Sequence, residues 1–151
     1  MSSIFVTRLK LTYAFISYRC PPCRAFTPNL VEVYNLAKSH GLEIIFVSSD
    51  NDTTSFNGYY SKMPWLALPF KSREIKNKLS SKMGIRGIPS LIILDAKTGN
   101  YISNNGRNEV MSVIGKSEEK VKDLIKSWEG KKSIPLDQLK SVKQGGGCQI
   151  Q

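Results

Sequence analysis

The chain has 151 residues, a length that suits one domain with a core of ordinary size. Its 40% hydrophobic and 23% charged residues are typical of a globular protein. No apolar stretch approaches the ~20 residues that a membrane-spanning helix needs. The formal net charge is +10. Six lysines of the basic C-terminal half recur beside acids at helix-surface spacing, namely Lys76, Lys78, Lys82, Lys120, Lys122 and Lys126. No nucleic-acid motif occurs, so we expect solvated helix faces and no nucleic-acid partner.

The hydrophobic pattern predicts strands that alternate with helices. In chain order we expect a strand at 9–17, helix 21–39, strand 43–48, helices 52–63 and 72–83, a β-hairpin at 90–103 and a helix at 117–128. This order predicts an α/β fold, in which a central mixed sheet carries helices on both faces. The domain is expected to span residues 1–129. Residues 130–151, with a proline and a run of three glycines, are expected to form a flexible basic tail.

The chain contains three cysteines, Cys20, Cys23 and Cys148. An odd, small number with two close together does not suggest a secreted disulfide scaffold, so we expect a reducing, cytoplasmic compartment. A zinc site would need four ligands, and only Cys148 and His40 are available besides the pair. A purely structural disulfide between Cys20 and Cys23 would close too short a loop to restrain the chain. The pair therefore favours redox chemistry, with no metal and no bound cofactor.

The stretch Cys-Pro-Pro-Cys lies where the first strand turns into the first helix. Pro21 and Pro22 suit the first helical positions, because their missing N–H groups would have no helical partner there. Cys20 is then expected at the N-cap, with its sulfur facing the Cys23 N–H and the positive end of the helix dipole. Both favour the thiolate, which is the nucleophile. Further positive charge comes from Arg19 and Arg24.

The two cysteines are expected to have different roles. Cys20 attacks a substrate disulfide and forms a mixed disulfide, and Cys23, on the inner side of the same turn, resolves it. Pro89 precedes the predicted strand of the hairpin and is a candidate cis-proline. There it would shape a groove beside Cys20, where the Ile88 backbone pairs with an extended substrate by strand addition.

These residues resemble the tryparedoxin and nucleoredoxin branch of the thioredoxin superfamily, over residues 11–107. The matching blocks lie at 20–28 (CPPCRAFTP), 46–50 (FVSSD), 62–70 (KMPWLALPF) and 87–90 (GIPS). The resemblance implies a thioredoxin-like three-layer fold and an electron carrier that reduces disulfides in peroxidases or other proteins. It also implies that Trp65 belongs to the surface near the site, whereas without the family it would equally suit the core. The predicted groove residues are thus Arg19, Pro21, Pro22, Arg24, Trp65, Ile88 and Pro89.

The sequence departs from this family in three places. Arg19 stands where the family usually has tryptophan before the first cysteine. Only 19 residues precede Cys20, where the family has an additional strand and helix. Ordinary thioredoxins bury a carboxylate six residues before the first cysteine, and Ala14 occupies that position here. The sequence therefore identifies no proton acceptor for Cys23.

The chain ends in Cys148-Gln-Ile-Gln, which fits the prenylation pattern, and a terminal glutamine indicates a farnesyl group. A chance match is the alternative, because Gln149 is not aliphatic. A lipid on Cys148 would give weak membrane association, with nearby lysines as the second signal. Those lysines are Lys131, Lys132, Lys140 and Lys143. On this hypothesis the flexible glycine run keeps Cys148 away from any fixed redox geometry.

The leading function is that of a protein-disulfide reductase, whose partners are disulfide-containing proteins such as peroxidases and an upstream dithiol or reductase. The alternative is a thioredoxin-fold binding module with little turnover. An oxidase or isomerase remains open as well, because redox potential sets the direction of thiol–disulfide exchange. The sequence does not name the upstream reductant.

Overall fold

The structure is a computed structural model that describes residues 10–138 and the backbone of residues 148–149. In chain order its helices and strands are β1 (Lys10–Ile16), α1 (Pro21–Ala37), β2 (Leu42–Ser48), α2 (Thr53–Tyr60), β3 (Leu66–Ala67), α3 (Arg73–Lys82), β4 (Gly87–Ile88), β5 (Ser90–Asp95), β6 (Tyr101–Ser103), α4 (Gly106–Met111), α5 (Glu118–Glu129) and β7 (Cys148–Gln149). Every predicted strand and helix is present. The short elements β3, β4, α4 and β7 are additions that the sequence patterns did not indicate.

The main sheet has five strands in the order β3-β2-β1-β5-β6. Strand β1 runs parallel to β2 and antiparallel to β5, and β5 and β6 form the predicted hairpin. The prediction of a mixed sheet is therefore confirmed. Strands β4 and β7 pair separately as a small antiparallel sheet.

The core lies on both faces of the central strands. Four consecutive residues of β5, Leu91–Leu94, are each at most 3% exposed. Successive side chains of a strand point to opposite faces, so helices must cover the sheet on both sides. Helix α5, for example, buries Val121, Ile125 and Trp128, which its periodicity places on one stripe.

Helix α1 begins at the carboxyl end of β1 and carries the cysteine pair in its first turn. Its buried residues include Leu30, Val33, Tyr34 and Ala37, the face that the sequence predicts. Gly41, with a φ of 90°, ends the helical segment as expected, because glycine adopts a left-handed conformation without strain. Since β1 and β2 are parallel, the residues after both strands meet at the edge of the sheet where α1 starts.

Part of the predicted tail lies against the domain. Ile134 and Tyr101 exchange two backbone hydrogen bonds of 2.7 and 2.8 Å, and a short 3-10 helix follows at Leu136–Gln138. The glycine run and the lysines at 140 and 143 lie outside the described residues. Within the described part, none of the helices is long and apolar enough to cross a bilayer.

Candidate active site

Cys20 occupies the N-cap of α1, as predicted, with φ −101° and ψ 107°. Pro21 and Pro22 take the first two helical positions, and the Cys20 carbonyl oxygen accepts the Arg24 N–H at 3.1 Å. Pro21 is exposed and Pro22 is half-buried. The strand-to-helix turn thus fixes the backbone of Cys20 at the helix start, where the dipole favours negative charge.

The Cys20 sulfur does not cap the helix, which corrects the expectation that it faces the Cys23 N–H. Its thiol instead donates a weak hydrogen bond to the Ile88 carbonyl oxygen at an S···O distance of 3.7 Å. The physical reason is that a protonated thiol is a donor and here finds a carbonyl acceptor. Cys20 is only 3% exposed.

The Ile88–Pro89 peptide bond is cis and lies next to Cys20, as predicted. Strand β4 supplies Ile88, and the Ser90 hydroxyl donates to the Gly87 carbonyl oxygen at 2.6 Å just beyond the proline. The side chain of Ile88 is buried. The edge of β4 therefore borders the sulfur of the N-terminal cysteine.

Cys23 is fully buried one turn into α1, and both it and Cys20 are free thiols. Its carbonyl oxygen accepts hydrogen bonds from the Thr27 hydroxyl at 2.8 Å and from the Tyr59 hydroxyl at 3.1 Å. Thr27 and Tyr59 also hydrogen bond to each other. This arrangement joins α2 to the second turn of α1, so the inner cysteine sits on a fixed backbone.

Tyr59 is a buried phenol that lies near the ionisable groups of both cysteines and of Asp50. Its pKa is raised well above the ordinary value by burial and further by the negative charges of Cys23, Asp50 and Cys20, although its bond to Thr27 acts in the opposite direction. These three groups therefore act on one phenol. The sequence analysis did not single out Tyr59.

Asp50 is a buried carboxylate at the same edge of the sheet, 2% exposed. Its Oδ1 accepts the Ser17 hydroxyl at 2.7 Å and the Tyr18 N–H at 3.0 Å, and its Oδ2 accepts the Ser48 hydroxyl at 3.0 Å. Ser17 and Tyr18 form the turn that leads into Cys20. The carboxylate therefore holds the end of β2 against that turn.

The position of Asp50 had a signal in the sequence. It follows a buried strand by two residues, and residues that follow parallel strands converge at one edge of the sheet. Arg73 lies close enough to this carboxylate for their charges to interact. Burial lowers the pKa of Arg73, and the negative charge of Asp50 opposes that shift. The Arg73 guanidinium also donates to the Ser48 carbonyl oxygen at 2.8 Å.

The two arginines that flank the cysteine pair are both exposed. Arg24 lies over the Tyr18 ring, 5.3 Å from its centroid. Arg19 contributes to the lowered pKa of Asp52, whose main cause is the hydrogen bond from the Ser55 N–H. The predicted effect of Arg19 on the thiolate of Cys20 stays a prediction.

A largely apolar groove of about 390 Å³ adjoins the first turns of α1. Arg24 and Lys62 supply its positive charge. Its other lining residues are Tyr18, Thr27, Pro28, Val31 and Tyr59. The groove therefore combines hydrophobic walls with two cations. Neither cysteine lines it, and of the predicted groove residues only Arg24 does.

Trp65 does not belong to this surface, which corrects the assignment drawn from the family resemblance. It is 3% exposed and packs edge-on against Tyr34, with ring centroids 5.5 Å apart. The Tyr60 hydroxyl donates to its carbonyl oxygen at 2.7 Å. A large aromatic side chain gains much free energy from burial. Trp65 obtains this by packing in the core against Tyr34 of α1.

The backbone of Cys148 lies beside the site. Strand β7 pairs antiparallel with β4, so that Cys148 is opposite Ile88 and Gln149 is opposite Gly87. This is contrary to the expectation that the glycine run keeps Cys148 away from a fixed redox geometry. Lipidation of Cys148 stays a prediction. The described residues include no group of three or more His, Cys, Asp or Glu side chains that could hold a metal.

Comparison with known proteins identifies the family. A thioredoxin-like family model matches residues 10–101. Nucleoredoxin of Xenopus laevis is 41% identical over 135 residues, which are 88% of this chain and 31% of that protein. Tryparedoxin of Trypanosoma brucei brucei is 43% identical over 95 residues, 61% of this chain and 65% of that one. The chain therefore spans less than a third of the length of the nucleoredoxins it matches.

Solved structures agree with the sequence relatives. Tryparedoxin I from Leishmania major superposes with a TM-score of 0.68 at 38% identity, covering 74% of this chain and 78% of that one. Tryparedoxin II complexed with glutathionylspermidine gives the same TM-score at 36% identity, covering 70% and 74%. The fold is thus thioredoxin-like, as predicted. The chain belongs to the thioredoxin-like family and is similar to tryparedoxins and nucleoredoxins.

Proposed function

We propose that the chain is a protein-disulfide reductase that uses the Cys20/Cys23 dithiol to pass electrons to protein disulfides. The observation that carries the proposal is the placement of the Cys20 thiol, at the N-cap of α1 and 3.7 Å from the Ile88 carbonyl oxygen. A helix N-terminus favours the thiolate. The neighbouring edge of β4 offers backbone groups that an extended substrate can pair with.

The reaction proceeds in two exchanges. The Cys20 thiolate attacks one sulfur of the substrate disulfide, forms a mixed disulfide, and expels the other substrate sulfur as a thiolate. Cys23 then loses its proton and attacks the Cys20 sulfur, which releases the reduced substrate and leaves a Cys20–Cys23 disulfide. An upstream dithiol or reductase restores the two thiols. Complete burial of Cys23 suits a resolving thiol, because it meets only the sulfur already attached beside it.

Asp50 is our proposed acceptor for the Cys23 proton. It is a buried carboxylate, and its charge, like those of the two cysteines, acts on Tyr59. A carboxylate in a desolvated site beside a thiol assists proton transfer directly or through one water. Asp50 would then take the role of the carboxylate that thioredoxins bury six residues before the first cysteine, a position that Ala14 occupies here.

The proposed partners are disulfide-containing proteins, peroxidases among them. The groove between Arg24 and Lys62 supports a partner that presents apolar and acidic groups beside its disulfide, because hydrophobic walls and two cations complement both. The solved tryparedoxin II complex contains glutathionylspermidine. For this chain the upstream reductant is therefore best sought by comparing low-molecular-weight thiols with thioredoxin reductase.

We further propose a cytoplasmic location, with weak membrane association of those molecules in which Cys148 is farnesylated. The support is the terminal sequence together with the lysines upstream of it. One prenyl chain alone anchors a protein only marginally. Intact-mass analysis of protein from its native cells tests the lipidation, and a free Cys148 followed by an intact C-terminus in every molecule would refute it.

A second candidate is a binding module with little turnover, which the 3% exposure of Cys20 favours. Insulin reduction with several reductants separates the two functions. A reductase turns over many insulin disulfides per chain, and Cys20→Ser abolishes the reaction. A chain that binds partners but gives no catalytic rate above that of the reductant alone would contradict the proposed reductase function.

A further inference from the structure

The last described strand of the chain lies where a substrate is expected. Strand β7 pairs antiparallel with β4, with Cys148 opposite Ile88 and Gln149 opposite Gly87. Strand addition to β4 is the mode that we expect for an extended substrate. The chain's own C-terminal segment therefore occupies the proposed substrate edge.

Ile88 places Cys148 close to the nucleophile. Its carbonyl oxygen lies 3.7 Å from the Cys20 sulfur, and its backbone pairs with that of Cys148. Residues directly opposite in an antiparallel pair have Cα atoms about 4.5–5.5 Å apart. Cys20 and Cys148 therefore approach the same residue, Cys20 through its sulfur and Cys148 through its backbone. A disulfide between them needs Cα atoms within about 7 Å.

The burial of Cys20 agrees with an occupied site. A thiol that attacks protein disulfides must be accessible to them, yet Cys20 is 3% exposed. Its neighbour Ile88 is also buried. Strand β7 pairs with the edge of β4 that lies beside Cys20. A substrate sulfur that reacts with Cys20 would have to approach along this same edge.

We propose that the C-terminal segment 148–149 is a resident occupant of this edge, and that Cys148 is a third redox cysteine that exchanges with the Cys20–Cys23 disulfide. The exchange rests on the proposed function, which generates that disulfide. The Cys148 thiolate attacks the Cys20 sulfur, the Cys20–Cys148 bond forms, the Cys20–Cys23 bond breaks, and Cys23 leaves as a thiolate that takes up the proton Cys148 gave up. One thiol and one disulfide are present before and after, so no further oxidant is needed.

The covalent link between segment 148–149 and the domain lets this segment compete with substrates. Residues 139–147 join the segment to the rest of the domain, and a covalent linker this short gives an effective concentration of about 1 mM. Substrates must compete with this concentration, so weak pairing of a short strand is enough to slow them. The segment and the disulfide exchange would protect Cys20 when no substrate is bound. This role belongs to molecules with a free Cys148, because a farnesyl thioether removes the thiol.

The first experiment measures occupancy without turnover. Two reduced proteins are compared, Cys23→Ser and the same variant truncated after Gly147, and the rate of Cys20 alkylation by iodoacetamide is followed by peptide mass spectrometry. We expect alkylation at least about threefold faster in the truncated chain, since the tethered competitor is gone. Equal rates would overturn the occupancy. Because no catalysis is involved, this result is independent of whether the chain reduces disulfides.

The second experiment detects the exchange. The full chain is oxidised with oxidised glutathione, acid-quenched and digested with trypsin without reduction, so that Cys20 and Cys23 share peptide 20–24 and Cys148 lies on peptide 144–151. We expect a disulfide-linked pair of these peptides, absent from Cys148→Ser. A digest in which peptide 20–24 carries only its internal disulfide would overturn the role of Cys148. Absence of insulin reduction in both full and truncated chains would instead contradict the proposed function.

Discussion

Replacing Asp50 by asparagine tests the buried carboxylate at the edge of the sheet. The carboxylate accepts hydrogen bonds from the Ser17 hydroxyl, the Tyr18 N–H and the Ser48 hydroxyl. An asparagine oxygen at Oδ1 keeps the first two acceptor bonds but makes them neutral. At Oδ2 an amide NH₂ faces the Ser48 hydroxyl, which already accepts the N–H of residue 50 at 2.9 Å. The Ser48 hydroxyl then loses its acceptor.

The magnitude follows from these bonds. Hydrogen bonds to charged groups contribute about 1.5–3 kcal/mol and neutral ones about 0.5–1.5 kcal/mol. The lower desolvation cost of a neutral amide offsets part of the loss. We therefore expect Asp50→Asn to lower the free energy of unfolding by about 2 kcal/mol. With an m value of about 2 kcal/mol/M in urea, the midpoint of unfolding falls by about 1 M.

Asp52→Asn is the matched control. Asp52 is exposed and caps α2, where it accepts the Ser55 N–H at 2.7 Å, and asparagine caps a helix as well as aspartate does. We expect a change below about 0.5 kcal/mol. Equal urea midpoints for the two variants would refute the account of Asp50. If Asp50 also accepts the Cys23 proton, Asp50→Asn slows resolution of a mixed disulfide about tenfold or more without slowing alkylation of Cys20.

Three other sites give contrasting expectations. Tyr59→Phe removes the hydroxyl that donates to the Cys23 carbonyl oxygen, so we expect a loss of about 1 kcal/mol in urea unfolding. Burial raises the Tyr59 pKa in the folded state, whereas the unfolded tyrosine loses its proton near pH 10. The free energy of unfolding therefore declines as the pH rises above about 10, and Tyr59→Phe should flatten that decline. An unchanged dependence of stability on pH would contradict the burial argument. An added Cβ at Gly106 would lie 2.8 Å from the Leu91 Cβ, so Gly106→Ala should lower the melting temperature, at a cost of about 1–3 kcal/mol. Gly58 is exposed in α2, and an added Cβ would meet nothing within 4 Å. Gly58→Ala should therefore raise the melting temperature, with a gain in stability of about 0.5–1 kcal/mol, and the same sign for both alanines would contradict the packing described.

The sequence predicts the fold well because its strands and helices are long and strongly patterned. Strand β2 and helix α1 lie where continuous apolar residues and helical periodicity indicate, and Gly41 ends the helical segment as expected. Strand β3 and helix α4 were missed. They have two and six residues, too few to show a period, and β3 exists because it pairs with the already formed β2.

The candidate site was predicted in part. The cysteine pair and Pro89 were found from local chemistry, since their roles depend on their position in one turn or before one strand. Asp50 and Tyr59 were not assigned roles, because they reach the site only when β2 and α2 pack beside α1. Trp65 was misplaced, since periodicity and motif spacing do not reveal whether an aromatic ring faces a groove or the core.

The pairing of Cys148 with Ile88 is the part of the site that the sequence pointed away from. A glycine run followed by a terminal cysteine indicates flexibility and lipidation when only local patterns are considered. The pairing joins residues 60 positions apart along the chain, 88 and 148, and backbone pairing of short strands has no local signature.

Trapping of mixed disulfides tests the central claim most directly. Every protein in this test also carries Cys148→Ser, so that no other thiol can attack the Cys20 sulfur. In Cys23→Ser the resolving thiol is absent, so a disulfide-containing protein should remain covalently attached through Cys20 after exchange. Reduced Cys23→Ser is mixed with insulin or an oxidised peroxidase, quenched in acid, and analysed by non-reducing mass spectrometry. We predict an adduct on Cys20 that accumulates with Cys23→Ser and is absent with Cys20→Ser. An adduct carried by residue 23 in the Cys20→Ser chain, or no Cys20 adduct in Cys23→Ser, would contradict the assignment of nucleophile and resolving thiol.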